Sequence, residues 1–164
     1  MRNLIITGLV LAAGTCLAQP PEASWKFYKL DFVVKEVEGS KVLNARTFST
    51  IVHASTPGVQ AAGGSIRTGS KVPTAGNYID VGVNIDTRDV KEVQGDVALS
   101  VSADISSTPA DAATERPVIR QNRWSSYVIV PIKKPTVIFA SDDATTKHQM
   151  QLELTATPIN TAVR

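Results

Sequence analysis

Residues 77–106 read NYIDVGVNIDTRDVKEVQGDVALSVSADIS, and this stretch decides the fold. Apolar side chains recur at every second position on both sides of Val93-Gln94-Gly95-Asp96. Ile79, Val81, Val83 and Ile85 fall on one side of an extended chain, with Tyr78, Asp80, Asn84 and Asp86 on the other. Val97, Leu99, Val101, Ala103 and Ile105 repeat the pattern, opposed by Ala98, Ser100, Ser102, Asp104 and Ser106. Side chains alternate across a strand, so each run predicts a half-buried strand and the segment between them a turn. Gly82 interrupts the first run, where it marks a bulge or a close approach of another backbone.

The same period extends outward. Trp25–Val37 predicts a first strand, with Leu30, Phe32 and Val34 opposed by Asp31, Val33 and Lys35. Glu38-Gly39-Ser40-Lys41 suits a hairpin turn with Gly39 at positive φ. Val42–Ala54 returns, rich in the Thr, Val and Ile of a pleated surface. Ser55–Ser65 is a Gly/Pro-containing connection. The strand from Ser65 should stop, or lie at an edge, at Pro73, which has no N–H for a ladder. Ser107–Pro117 reads as a second loop, followed by a short basic strand over Val118–Arg123. Ser125–Ile132 is apolar on both faces at Tyr127–Val130, as for a strand covered on both sides. After a turn at Lys133-Lys134-Pro135 come a strand at Thr136–Ala140, a charged loop with one helical turn at Ser141–His148, and a last strand at Gln149–Pro158. In that strand Met150, Leu152, Leu154 and Ala156 face inward. No helical period is sustained. The expected fold is all-β: a single-domain antiparallel β-sandwich or open barrel of about eight strands over residues 25–158.

Composition sets the compartment. A basic start at Arg2, an apolar run over Leu4–Ala13 and the small residues of Cys16-Leu17-Ala18 predict a signal peptide over residues 1–18, cleaved before Gln19. Cys16 as a lipidated residue is the weaker reading, because Ala13-Gly14-Thr15 lacks the usual apolar residue. Residues 19–24 read as a flexible lead and 159–164 as a loose tail. The mature 146 residues (164 less 18) carry 16 basic side chains (17 less Arg2) and 15 acidic ones, for a charge near +1. That balance argues against nucleic acid as a partner. The one cysteine leaves with the signal, so the mature fold is expected to lack disulfides and thiol chemistry, and to lack a transmembrane helix.

The chemistry-bearing residues are sparse. His53 and His148 stand apart, with no GxSxG elbow and no ligand spacing for zinc. Asp80, Asn84, Asp86 and Asp89 form a row, but alternate strand residues lie roughly 7 Å apart, too far for one calcium ion. The row reads better as a solvated face paired with Arg67, Lys71 or Arg88. Asp142-Asp143 is a second acidic pair. Gly63-Gly64 and Gly69 are too sparse for a phosphate cradle. Arg116, Arg120 and Arg123 form a basic cluster that reads as a solvated strand face. No catalytic residue, cofactor or metal site is expected. The candidate ligand or partner contacts are Trp124, Tyr127, Arg120 and Arg123.

One resemblance adds to this. Gly69-Ser70-Lys71-Val72-Pro73 gives a Gly-x-x-Val-Pro step, and Tyr78-Ile79-Asp80-Val81-Gly82-Val83 an aromatic-x-Asp-Val-Gly strand. Val97–Ser107 follows as an alternating strand ending in Asp104-Ile105-Ser106-Ser107. Then come Pro117-Val118-Ile119-Arg120-Gln121-Asn122-Arg123, Ser126-Tyr127-Val128-Ile129-Val130 and Pro135-Thr136-Val137-Ile138. In order, these segments over residues 66–139 resemble the secretin β module of bacterial type II and III secretion and type IV pilus machinery. The resemblance implies a non-enzymatic exported envelope protein, in the periplasm or secreted, that self-assembles or docks on a protein partner, with outer-membrane association. The alternatives are a soluble ligand-binding sandwich, with loops 55–65 and 107–117 forming a mouth near Trp124 and Tyr127, and a hydrolase using Asp80, Asp86, Asp142 or His148.

Overall fold

The computed structural model describes residues 25–74, 77–108, 119–143 and 146–159. The expected signal peptide with Cys16, the lead, most of the second loop, the tail from 160 and part of the expected helical turn lie outside the described residues. The described residues form eight strands: β1 (Lys26–Glu38), β2 (Lys41–Ala54), β3 (Ser65–Thr74), β4 (Asn77–Val93), β5 (Asp96–Ser107), β6 (Arg120–Pro131), β7 (Thr136–Asp142) and β8 (His148–Ile159).

They make two four-stranded sheets, ordered β2-β1-β8-β7 and β3-β4-β5-β6, antiparallel throughout. The sheets face each other and do not close into a barrel, so of the two expected architectures the sandwich is the one formed. The turns are those the local residues demand. Gly39 takes φ 58°, and Gln94 and Gly95 take φ 53° and 88°, the consecutive positive values that match a two-residue hairpin to strand twist.

The expected inner faces meet in one core. Leu30 and Phe32 of β1, Val52 of β2, Val83 and Ile85 of β4, Leu99 and Val101 of β5, Val130 of β6, and Leu152 and Leu154 of β8 are all buried. Pro73 sits in β3, an edge strand, as a proline in a sheet must.

Three expectations are corrected. The two strands expected at 118–123 and 125–132 are one, β6, because no turn residue separates Arg123 from Ser125. That strand is not covered on both sides. It is a sheet edge, and Tyr127 and Ile129 on its outer face are 47% and 54% exposed. Ala98, expected to face water, is buried: its small side chain lies between Lys91 and Ile129, its partners on either side in register.

Candidate functional site

The two ends of the sandwich differ. At one end the sheets are tied together. Ser55 donates its N–H to the Val90 carbonyl at 2.8 Å. The buried Thr87 hydroxyl accepts from the Gly64 N–H at 2.7 Å and donates to the Gly64 carbonyl at 3.0 Å. The Tyr28 hydroxyl and Lys26 both donate to Glu92 Oε2, at 2.7 and 2.8 Å. Burial, and then the Glu92 carboxylate beside it, push the Tyr28 phenol well above its ordinary range.

At the other end the sheets diverge around a cleft of about 460 Å³. Val34, Val83, Ile105 and Met150 are its apolar floor. Its rim is polar. His148 Nδ1 lies 2.8 Å from Glu36 Oε1, Arg120 pairs with Asp143 at 3.0 Å, and Gln149 donates to Asp142 at 2.8 Å. Asn44 and Arg46 of β2 complete the far wall. Glu36 and His148 are 112 residues apart in sequence, so only the β1–β8 pairing reveals their meeting. Among the described residues no hydroxyl bonds the second ring nitrogen of His148. The pair therefore fixes the imidazole without aiming it at a nucleophile.

The expected contact residues are split by this geometry. Trp124 faces inward and packs against Phe139 with ring centroids 5.6 Å apart and the planes tilted by 37°, across the seam between β6 and β7. Arg120, four residues earlier on the same face, stands at the cleft rim. Tyr127 and Arg123 lie on the outer face. Lys91 sits over the Tyr127 ring at 5.5 Å, and Arg123 bonds Asp104 at 2.8 Å. Of the mouth expected from loops 55–65 and 107–117, residues 109–117 lie outside the described residues, and the described ends of the two loops stand at opposite ends of β5. Ser55 bridges to Lys91 near the start of β5, whereas Ser107 is the last residue of β5. His53 stands against Trp25 and Phe27 on the outer face of the first sheet, at 5.1 and 5.9 Å. The acidic row is held as expected at Asp86, which accepts two bonds from Arg67 at 2.8 Å; these bonds lower its pKa below the usual carboxylate value. Among the described residues no three His, Cys, Asp or Glu side chains gather as a metal cluster.

Beyond the cleft, the ladder between β4 and β5 ends at Val83↔Ile105, and among the described residues 77–82 of β4 continue with β3 alone. This two-stranded arm is open to solvent, with Tyr78 72% exposed and Ile79 beside it. At its root Gly82 faces Gly69 in unbroken register. A Cβ on Gly82 would fall on the Thr68 carbonyl oxygen and the Gly69 Cα. The glycine flagged in the sequence thus marks a close backbone approach, not a bulge.

No protein-family model matches the chain, and no curated protein matches it. Among solved structures it is similar to secretins. The type II secretion system secretin GspD of E. coli K12 is 10% identical, with a TM-score of 0.48 over 83% of this chain and 48% of that one. The Klebsiella pneumoniae outer membrane complex of PulD, PulS and PulC gives 10% identity and a TM-score of 0.46, over 83% of this chain and 39% of its own. The Salmonella SPI-1 injectisome secretin InvG gives 9% and 0.46, over 85% of this chain and 63% of its own. The chain thus spans between about two fifths and two thirds of the length of these structures. They bear the family name that the motif order of residues 66–139 resembles.

Proposed function

We propose that this chain is a non-enzymatic exported envelope protein that works by assembly, with copies of itself or with a protein partner in the envelope. The observation that carries this reading is the β3–β4 arm. It extends past the core with Tyr78 and Ile79 uncovered, and a two-stranded ribbon has no second layer of its own to bury them. A partner that supplied that layer would also meet the free strand edges beside it. The motif order of residues 66–139 supports the same reading, as does the absence, among the described residues, of a nucleophile set against the Glu36–His148 pair. The place of action is the periplasm or the cell exterior, with the outer membrane reached through the partner. The test is purification of the native protein from cell envelopes, with light scattering and identification of co-purifying chains. A discrete oligomer or a stable complex is expected; a protein that is always single and alone overturns the reading.

A second reading has its own observation, the 460 Å³ cleft with an apolar floor and a polar rim. Such a cavity suits a small amphipathic ligand. Trp124 lies two residues along β6 from Asn122 of the cleft wall, so binding there would shift its fluorescence. Titration with peptides or sugars that leaves the emission unchanged counts against it.

A further inference from the structure

The inner faces of the sandwich change chemistry towards one end. On β1 the inward positions run Leu30, Phe32, Val34 and then Glu36. On β2 they run Val52, Thr50, Phe48 and then Arg46; on β5, Ala103, Ile105 and then Ser107; on β6, Trp124 and then Asn122; on β8, Leu152, Met150 and then His148. The β1–β2, β1–β8 and β5–β6 ladders are unshifted through these residues, so each polar side chain keeps the inward side of the apolar ones before it. All five of these polar residues line the cleft.

The charges around the cleft are matched, with one exception. Glu36 is bonded by His148, Arg120 pairs with Asp143, and Lys35 pairs with Glu153 at 2.8 Å. Asp142 accepts from Gln149, which follows inward His148 and precedes inward Met150 and so lies on the outward side of β8. Among the described residues Arg46 makes neither an ion pair nor a hydrogen bond. Its partner in register on β1 is Val34, part of the cleft's apolar floor. An open guanidinium fork thus stands beside an apolar surface, in a space of about 460 Å³ that suits a small ligand.

We propose that the cleft takes a monocarboxylate with an apolar body. The carboxylate lies on the Arg46 fork, which matches its two oxygens with parallel N–H donors. The body lies on Val34, Val83, Ile105 and Met150. One open cation matches one negative charge, which favours a carboxylate over a phosphate monoester of about two charges. This inference rests on the ligand-binding reading of the cleft and names its ligand class. A fatty acid and the free C-terminus of an apolar peptide share that chemistry.

Calorimetric titration of the purified protein with decanoate, decanol and decyltrimethylammonium tests it, with N-acetyl-Leu-Phe and its C-terminal amide as a second arm. A free carboxylate should bind at least tenfold tighter than its neutral counterpart in one arm or both, and the arm that responds identifies the source. Arg46→Gln should weaken carboxylate binding about tenfold and leave the neutral counterpart unchanged, while Arg46→Lys keeps part of the preference. Arg46 is exposed, so the far-ultraviolet spectrum of these variants should not change. Arg88→Gln, on β4 towards the tied end, should leave binding unaltered. Neutral or cationic probes that bind as tightly as the carboxylates, or a preference that survives Arg46→Gln, overturn the assignment and leave a ligand-binding cleft standing. A protein that binds none of the five probes overturns both.

Discussion

The two halves of β4 make a natural comparison. From Val83 to Asp86 the strand lies between β3 and β5, and Thr87 and Val90 just beyond bond Gly64 and Ser55; Val83, Ile85, Thr87 and Val90 are all buried. From Asn77 to Asp80 it has one neighbouring strand among the described residues, and every residue is exposed. The alternation of side chains is the same in both halves, so alternation alone does not bury a face; a second sheet opposite does. The body is stabilised by what it excludes from water, and the arm is held by its ladder and kept available. Phe32→Ala, in the body, should cost about 3–5 kcal/mol through lost burial and the cavity left behind. Ile79→Ala on the arm should cost under about 0.5 kcal/mol, as exposed changes do. Urea unfolding of the two variants compares them. An Ile79→Ala loss approaching the core value would break the contrast, and would mean that the arm is already covered by another copy.

The junction between the halves should show an intermediate effect. Gly82 and Gly69 bring two backbones together where β4 leaves β5, and Ser106 Oγ accepts from the Gly82 N–H at 2.9 Å. Gly82→Ala forces the Thr68 carbonyl aside, so a loss of about 1–3 kcal/mol is expected, as for an overpacked site. Hydrogen exchange sharpens this: protection should fall first at residues 77–82, while the amides of β5 keep theirs. Uniform loss across both sheets would show that the arm and the body unfold as one.

Much of this was legible in the sequence. The period of two set the strands and inner faces, and Gly39 and Gln94-Gly95 set the turns, because these depend on neighbours along the chain. Gly82 was visible as an exception, though not its partner Gly69. What could not be read was the pairing of distant strands. Tyr127 and Ile129 read as covered because their apolar character is local, while the place of β6 at an edge depends on strand order. Trp124 and Tyr127 looked like one contact surface, yet three residues along a strand is an odd step and sends them to opposite faces. The cleft rim stayed hidden for the same reason, since Glu36 finds His148 only through the β1–β8 ladder.

Another small effect sits at the closed end and depends on pH. Glu92 accepts from Lys26 and from Tyr28 at one oxygen, and these bonds hold its pKa below the ordinary 4.5, against the opposing effect of burial. With a lowered folded pKa, the unfolded chain takes up the proton first as pH falls. The contribution of the bonds is complete above 4.5 and is lost as pH drops through the lowered value. The pair with Lys26 is largely exposed, so its share should be under about 1 kcal/mol. Tyr28 has the opposite sign: its folded pKa is raised above 10.0, so its contribution is complete below 10.0 and fades as pH climbs towards the raised value. Glu92→Gln should flatten the acid side of the stability profile, and Tyr28→Phe should flatten the alkaline side, each measured by urea unfolding at a series of pH values. An acid slope unchanged in Glu92→Gln would shift the source to Asp86, whose pKa Arg67 lowers on the outer face beside the arm's root. The pH-sensitive contact would then lie on the open side of the molecule and not at its tied end.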